Sequence, residues 1–152
     1  MSTATLEHIN ITVSNVSETA ERLCSFFNWK IRWQGKAMNG GKTIHIGNNA
    51  SYLAIFQAKQ PSSNNTINSA KTNGLNHVGI VVDELEHVEQ RIRECGYEPY
   101  SFGDYEPGRR FYFREENGIE FEVISYSKQS VSMKDQILQQ LGAMAEFGIA
   151  RK

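Results

Sequence analysis

Two stretches decide how this 152-residue chain is read: Leu6-Glu7-His8-Ile9-Asn10-Ile11-Thr12-Val13 and Leu75-Asn76-His77-Val78-Gly79-Ile80-Val81-Val82. Each opens on leucine, carries a histidine in third place and then alternates. Ile9, Ile11 and Val13 fall on one side of a strand, and His8, Asn10 and Thr12 fall on the other. The correspondence continues at the same offset, pairing Val16 with Leu85, Arg22 with Arg91 and Leu23 with Ile92. Further on, Tyr52-Leu53-Ala54-Ile55-Phe56 matches Glu120-Phe121-Glu122-Val123-Ile124 after a slip of one residue, which a loop absorbs. The chain is an internal repeat, and the repeat sets the fold.

Working outward, each first strand is followed by a turn and a helix. Ser17–Phe27 places Ala20, Leu23, Cys24 and Phe27 at helical spacing. Leu85–Glu94 does the same with Leu85, Val88 and Ile92, and Gly96 supplies the stop. Three short strands complete each half: Lys30–Gln34, Thr43–Ile46 and Tyr52–Gln57, then Glu98–Phe102, Arg109–Arg114 and Ile119–Ser125. Asn39-Gly40-Gly41, Gly47-Asn48-Asn49, Pro107-Gly108 and Asn117-Gly118 supply turns between them. The reading is an α+β fold of two βαβββ modules forming a curved sheet cup. The first module covers residues 1–59, a polar linker covers 60–73 and the second module covers 74–127. From 128 to 152 the sequence leaves the repeat. Ile137, Leu138, Leu141 and Met144 form an apolar stripe there, expected as one extra amphipathic helix.

The totals exclude several functions. A chain with 39% hydrophobic and 22% charged residues has the makings of a folded core. A formal net charge of −1 gives no electrostatic pull toward nucleic acid or an anionic membrane. No apolar run reaches the roughly eighteen residues that a membrane helix needs. Cys24 and Cys95 fall in helical segments without metal spacing and are expected as free thiols. The N-terminus lacks the layout of an export signal, so the protein is expected in the cytoplasm.

The polar strand face is where chemistry gathers. His8, Asn10 and Thr12 share it in the first half, and His77 takes the place of His8 in the second. On the last strand Glu120 and Glu122 share a face, and on the strand before it Arg110 and Tyr112 do. Imidazole nitrogen and carboxylate oxygen together suit a divalent ion such as Zn, Ni, Mn, Fe or Co. Arginine forks suit a substrate carboxylate or phosphate.

The βαβββ repeat, the paired His8 and His77, and Asn117-Gly118-Ile119-Glu120-Phe121-Glu122 near the end resemble the glyoxalase I, bleomycin-resistance and extradiol-dioxygenase superfamily, also called the vicinal oxygen chelate superfamily. The resemblance covers about residues 5 to 126. In that family a metal-binding Glu stands four residues after a Gly in an Asp-Pro-x-Gly signature. Here Gly118 keeps the spacing to Glu122, while Glu115-Glu116 replaces the Asp-Pro. The family's fullest ligand set is a His on the first strand and a Glu or Gln on the last strand of each half. His8, His77 and Glu122 match three of these, and the fourth falls on Ala54, which cannot ligate. Gln57 lies three residues further on, at the wrong parity for that face. A two-His-one-Glu set is similar to that of the fosfomycin-resistance thiol transferases, and it leaves coordination positions open, as a catalytic site requires.

The resemblance implies a metal-dependent lyase, isomerase or transferase acting on a small oxygen-rich molecule. It implies Glu122 and Tyr112 in catalysis, Arg110, Tyr112 and Asn10 on the substrate, and a homodimer as the working unit. The rival is a metal-free drug- or metabolite-binding protein of bleomycin-resistance type, which Ala54 favours. A ring-cleaving dioxygenase ranks third. Whether the two halves close on each other within one chain or pair across a dimer is left open by the linker.

Overall fold

Each half of the chain builds one helix and one four-stranded sheet. The computed structural model describes residues 4–37, 40–61, 74–105 and 108–126. Most of the linker and the extension that carries the expected C-terminal helix lie outside the described residues.

The first module runs β1 (His8–Thr12), α1 (Val16–Phe27), β2 (Lys30–Lys36), β3 (Lys42–Gly47) and β4 (Tyr52–Gln57). The second runs β5 (Val78–Val81), α2 (Leu85–Glu94), β6 (Tyr100–Tyr105), β7 (Gly108–Arg114) and β8 (Glu120–Tyr126). The sheets have the same order, β1-β4-β3-β2 and β5-β8-β7-β6, with the first strand parallel to the last and the remaining neighbours antiparallel. The helix lets the chain return to start a parallel pair, as a crossover must.

Local chemistry sets the helix ends. Asn15 caps α1 by accepting from the backbone N–H of Ser17 and Glu18 at 3.1 and 3.2 Å, so the helix begins at Val16, one residue before the sequence reading. It ends at Asn28 in the left-handed region, φ 55°. Gly96, at φ +86°, closes α2 as its composition suggested.

One core joins the halves. Val16, Ala20, Leu23 and Phe27 of α1 bury against Ile44, Ile46, Leu53 and Ile55 of the first sheet. Phe26 and Phe27 reach the second sheet, with ring centroids 5.9 and 6.4 Å from Phe113. Arg91 of α2 donates from Nε and Nη2 to the Phe26 carbonyl at 3.0 and 2.8 Å. Asn117 accepts from both the N–H and the hydroxyl of Ser14 at 2.8 Å, and Arg22 pairs with Glu116. The apolar faces of both sheets meet the helices in this core, so alternation turns each polar face away from it.

Two details differ from the sequence reading. Trp33, by residue type a core aromatic like Phe26, Phe27 and Trp29, is 49% exposed, because β2 is an edge strand and Trp33 lies on its polar side beside His45. β6 begins at Tyr100 rather than Glu98, and its register shifts between Tyr100 and Gly103. Cys24 and Cys95 are free thiols.

Candidate metal centre

In the second sheet, register builds the site. Gly79 of β5 pairs with Glu122 of β8, Glu122 with Tyr112 of β7, and Tyr112 with Tyr100 of β6. These residues form one row across the polar face. Arg110 shares that face two residues along β7, and its partner Arg109 points away to Glu86. Of the adjacent arginines, only Arg110 therefore serves the site.

Glu122 is the hub. Its Oε1 accepts from Arg110 Nη1 at 3.0 Å and from Tyr112 Oη at 2.9 Å. Its Oε2 lies 3.3 Å from His77 Nε2. Burial, reinforced by the bond to Glu122, pushes the Tyr112 phenol above its ordinary pKa. Arg110 stacks over the Tyr105 ring at 4.7 Å, and its Nε is buried without a hydrogen-bond partner among the described residues. A Cβ on Gly79 would lie 3.9 Å from Glu122 Oε2, an ordinary contact, so glycine there leaves modest extra room beside the carboxylate.

The His77–Glu122 arrangement fits a metal ion. His77 Nδ1 lies 2.7 Å from Asn76 Oδ1, and an amide oxygen only accepts, so Nδ1 carries the proton. In the neutral ring of that tautomer Nε2 holds a lone pair beside a carboxylate oxygen, a pair of donor atoms that suits a cation. Two ligand atoms about 2.1 Å from a tetrahedral ion sit about 3.4 Å apart, close to the spacing seen.

His8 is placed elsewhere. It starts β1 on the polar face of the first sheet, with Nδ1 2.9 Å from Glu7 Oε2 and its ring stacked on Tyr52 at 4.8 Å. The His8 bond, ahead of the other influences, lowers the pKa of the Glu7 carboxyl. Among the described residues, no three His, Cys, Asp or Glu side chains come together to hold one ion. His8 therefore does not join His77 and Glu122 within the chain. Asn10 goes with His8. Its row is Asn10–Ala54–His45–Trp33, the counterpart of Gly79–Glu122–Tyr112–Tyr100, so Ala54 does occupy the place of Glu122.

The remaining histidines, Gln57 and Glu120 have structural partners. His45 lies between the rings of Trp33 and Tyr52, and desolvation lowers its pKa. Gln57 accepts from the Val16 N–H at 3.2 Å, at the start of α1. Glu120 is held by Tyr100 and Arg114, which both donate to its Oε2. His87 is an exposed helix residue bonded to Glu84. Sequence reasoning missed Glu7 and Asn76. The signal was available: at the same repeat position, the residue before each histidine has a side-chain acceptor. It also missed Glu115, buried in the β7–β8 turn, where it accepts from the Asn117 and Ile119 N–H groups at 2.7 and 3.2 Å.

Solved structures share this architecture. A glyoxylase/bleomycin resistance protein/dioxygenase domain from Frankia sp. EAN1pec superposes with a TM-score of 0.71 at 16% identity, covering 83% of this chain and 100% of that one. A glyoxalase family protein from Enterococcus faecalis gives 0.64 at 18% identity, over 79% and 96% of the two chains. The fosfomycin resistance protein FosX from Listeria monocytogenes, in a structure with Mn(II) and sulfate, gives 0.61 at 17% identity, over 85% and 98%. At these identities the likeness is one of fold. No curated protein matches the chain significantly by sequence. The family model named Glyoxalase/Bleomycin resistance protein/Dioxygenase superfamily matches residues 5–123, most of the chain, and with the repeat, the sheet order and the paired histidines it shows that this protein belongs to that superfamily.

Proposed function

We propose that the protein is a metal-dependent lyase, isomerase or transferase acting on a small oxygen-rich metabolite, and that its metal centre is completed between two copies of the chain. The observation that carries this reading is the His77 Nε2–Glu122 Oε2 pair, with Arg110 and Tyr112 on the other carboxylate oxygen. His77 and Glu122 supply two ligands from one chain, and His8 of a second chain supplies the third. A homodimer is the simplest closed assembly that offers it. A bound divalent ion supplies Lewis acidity toward two neighbouring substrate oxygens.

The chain's own groups do the rest. Arg110, with Nη1 on Glu122 and Nη2 3.4 Å from the Gly108 carbonyl, offers a fixed positive charge for a substrate anion. Tyr112, a neutral phenol at neutral pH, donates a hydrogen bond to an oxygen that gains charge, or passes it a proton. The relative FosX, described with Mn(II) and sulfate and elsewhere with Mn(II) and a dihydroxypropylphosphonic acid, supports a metal and a small oxygen-rich anion as the class of partner.

Metal binding tests the proposal. Protein purified without chelators and offered Zn, Ni, Mn, Fe and Co is expected to bind one of them at one ion per chain, and His77→Ala is expected to lose it. Absence of stoichiometric binding, or His77→Ala binding as tightly as the wild type, defeats it.

A second reading, metal-free capture of a drug or metabolite, is favoured by Ala54 and by a cleft of about 220 Å³ bordered by Leu6, His8, Tyr52, Leu53, Val78 and Ile80. It requires ligand-induced stabilisation that chelator leaves intact.

A further inference from the structure

We propose that Glu7 and Asn76 are positioning residues, each fixing the ring and proton of the histidine that follows it so that Nε2 is presented as a donor. The role rests on the metal reading above, but its geometry is independent of it. His8 Nδ1 lies 2.9 Å from Glu7 Oε2, and His77 Nδ1 lies 2.7 Å from Asn76 Oδ1. An ionised carboxylate and an amide oxygen both accept only, so both rings donate from Nδ1–H. A metal-ligating histidine is commonly held this way, with its second nitrogen bonded to a carboxylate, carbonyl or water.

The bond alone is not the argument, since His87 makes a similar one to Glu84 on the exposed face of α2. The two repeat histidines are distinguished by place and packing. Each begins the first strand of its module, with the acceptor one residue before it. The His8 ring stacks on Tyr52, 16° from parallel, and Tyr52 also stacks with His45 at 4.6 Å and has the Arg32 guanidinium 4.8 Å from its ring. The His77 ring meets the Tyr112 ring edge-on at 5.8 Å, and Tyr112 is bonded to Glu122. Ring orientation and tautomer are thus set before any ligand arrives.

The two halves differ in charge. Glu7 gives His8 an anionic partner, and Asn76 gives His77 a neutral one. An anionic partner raises the electron donation of the ring. In a single chain His8 stands apart from the other ligands.

Two measurements test this on the full-length protein. In the metal-free protein, at a pH where imidazole is neutral, nitrogen-15 NMR is expected to find His8 and His77 as Nδ1–H tautomers. Glu7→Ala and Asn76→Ala are each expected to release their own histidine to a tautomer mixture, while Glu7→Gln, which keeps an acceptor oxygen, retains the wild-type state. Calorimetric titration with the ion that the wild type binds is expected to show about a ten- to hundredfold loss of affinity in each alanine variant and a smaller loss in Glu7→Gln. Both side chains are exposed, and matching circular dichroism spectra will confirm that the variants fold. Unchanged tautomers together with unchanged affinity in both alanine variants overturn the positioning role. A wild type that binds no ion overturns instead the metal reading, and the NMR result still decides whether Glu7 and Asn76 orient the rings.

Discussion

At Glu122 three side chains converge on one carboxylate: Arg110, Tyr112 and His77. Arg110 and Glu122 are 13% and 14% exposed, so neither is readily compensated by water. Glu122→Ala leaves the Arg110 guanidinium and the Tyr112 hydroxyl short of a partner. It should lower stability by about 1–3 kcal/mol in urea titrations and abolish metal binding. Tyr112→Phe removes one hydrogen bond without opening a cavity. It should cost about 1 kcal/mol in the same titrations and leave the metal bound, while turnover, once a substrate is found, falls steeply. Much of this site was legible beforehand. Strand alternation put Arg110, Tyr112 and Glu122 on one face, and the repeat put His77 at the head of the neighbouring strand. The position of His8 was not legible. Periodicity says which face of a strand a residue takes, but not which way two sheets turn once helices occupy the space between them.

At the scale of elements, the β7–β8 turn departs from the family signature and still does structural work. Glu115 is buried and ties the turn together, Glu116 reaches Arg22, and Asn117 holds Ser14. Desolvation raises the Glu115 pKa above its ordinary value. The native state therefore holds this proton more tightly than the unfolded chain does. The group favours folding below the ordinary carboxylate range and gives up that advantage as pH rises through its elevated native pKa. Urea midpoints for wild type and Glu115→Gln between about pH 4 and 7 should show this slope in the wild type and lose it in the variant. At α1, Asn15→Ala should cost about 1 kcal/mol, read as a shift in the urea midpoint, because two N–H groups lose their acceptor. Helices were the easiest elements to read, since their apolar spacing and end signals agree. Trp33 was the hardest. An exposed tryptophan on an edge strand has the composition of a core residue, and only the neighbours that stack beside it reveal the difference.

At the scale of the molecule, a single core that takes residues from both modules predicts one unfolding event. Both tryptophans, Trp29 and Trp33, lie in the first module, so their fluorescence reports on that half, and far-ultraviolet circular dichroism reports on both. The two signals should change together in urea. Arg91→Ala, which removes two bonds to the Phe26 carbonyl, should move both curves to lower urea by the same amount. Curves that separate would show modules that unfold independently.

The placement of His8 on one sheet and of His77 with Glu122 on the other has a consequence for mixed populations. Under the proposed sharing, a chain lacking His8 and a chain lacking His77 are each inert alone, because every centre in either homodimer is one ligand short. In a heterodimer the losses segregate: one centre receives both defects and the other receives none. Unfolding and refolding an equal mixture of His8→Ala and His77→Ala should therefore restore about one quarter of the wild-type metal sites. A protein whose ligands all came from one chain would restore none, so two defective alleles of this protein should complement each other within one cell.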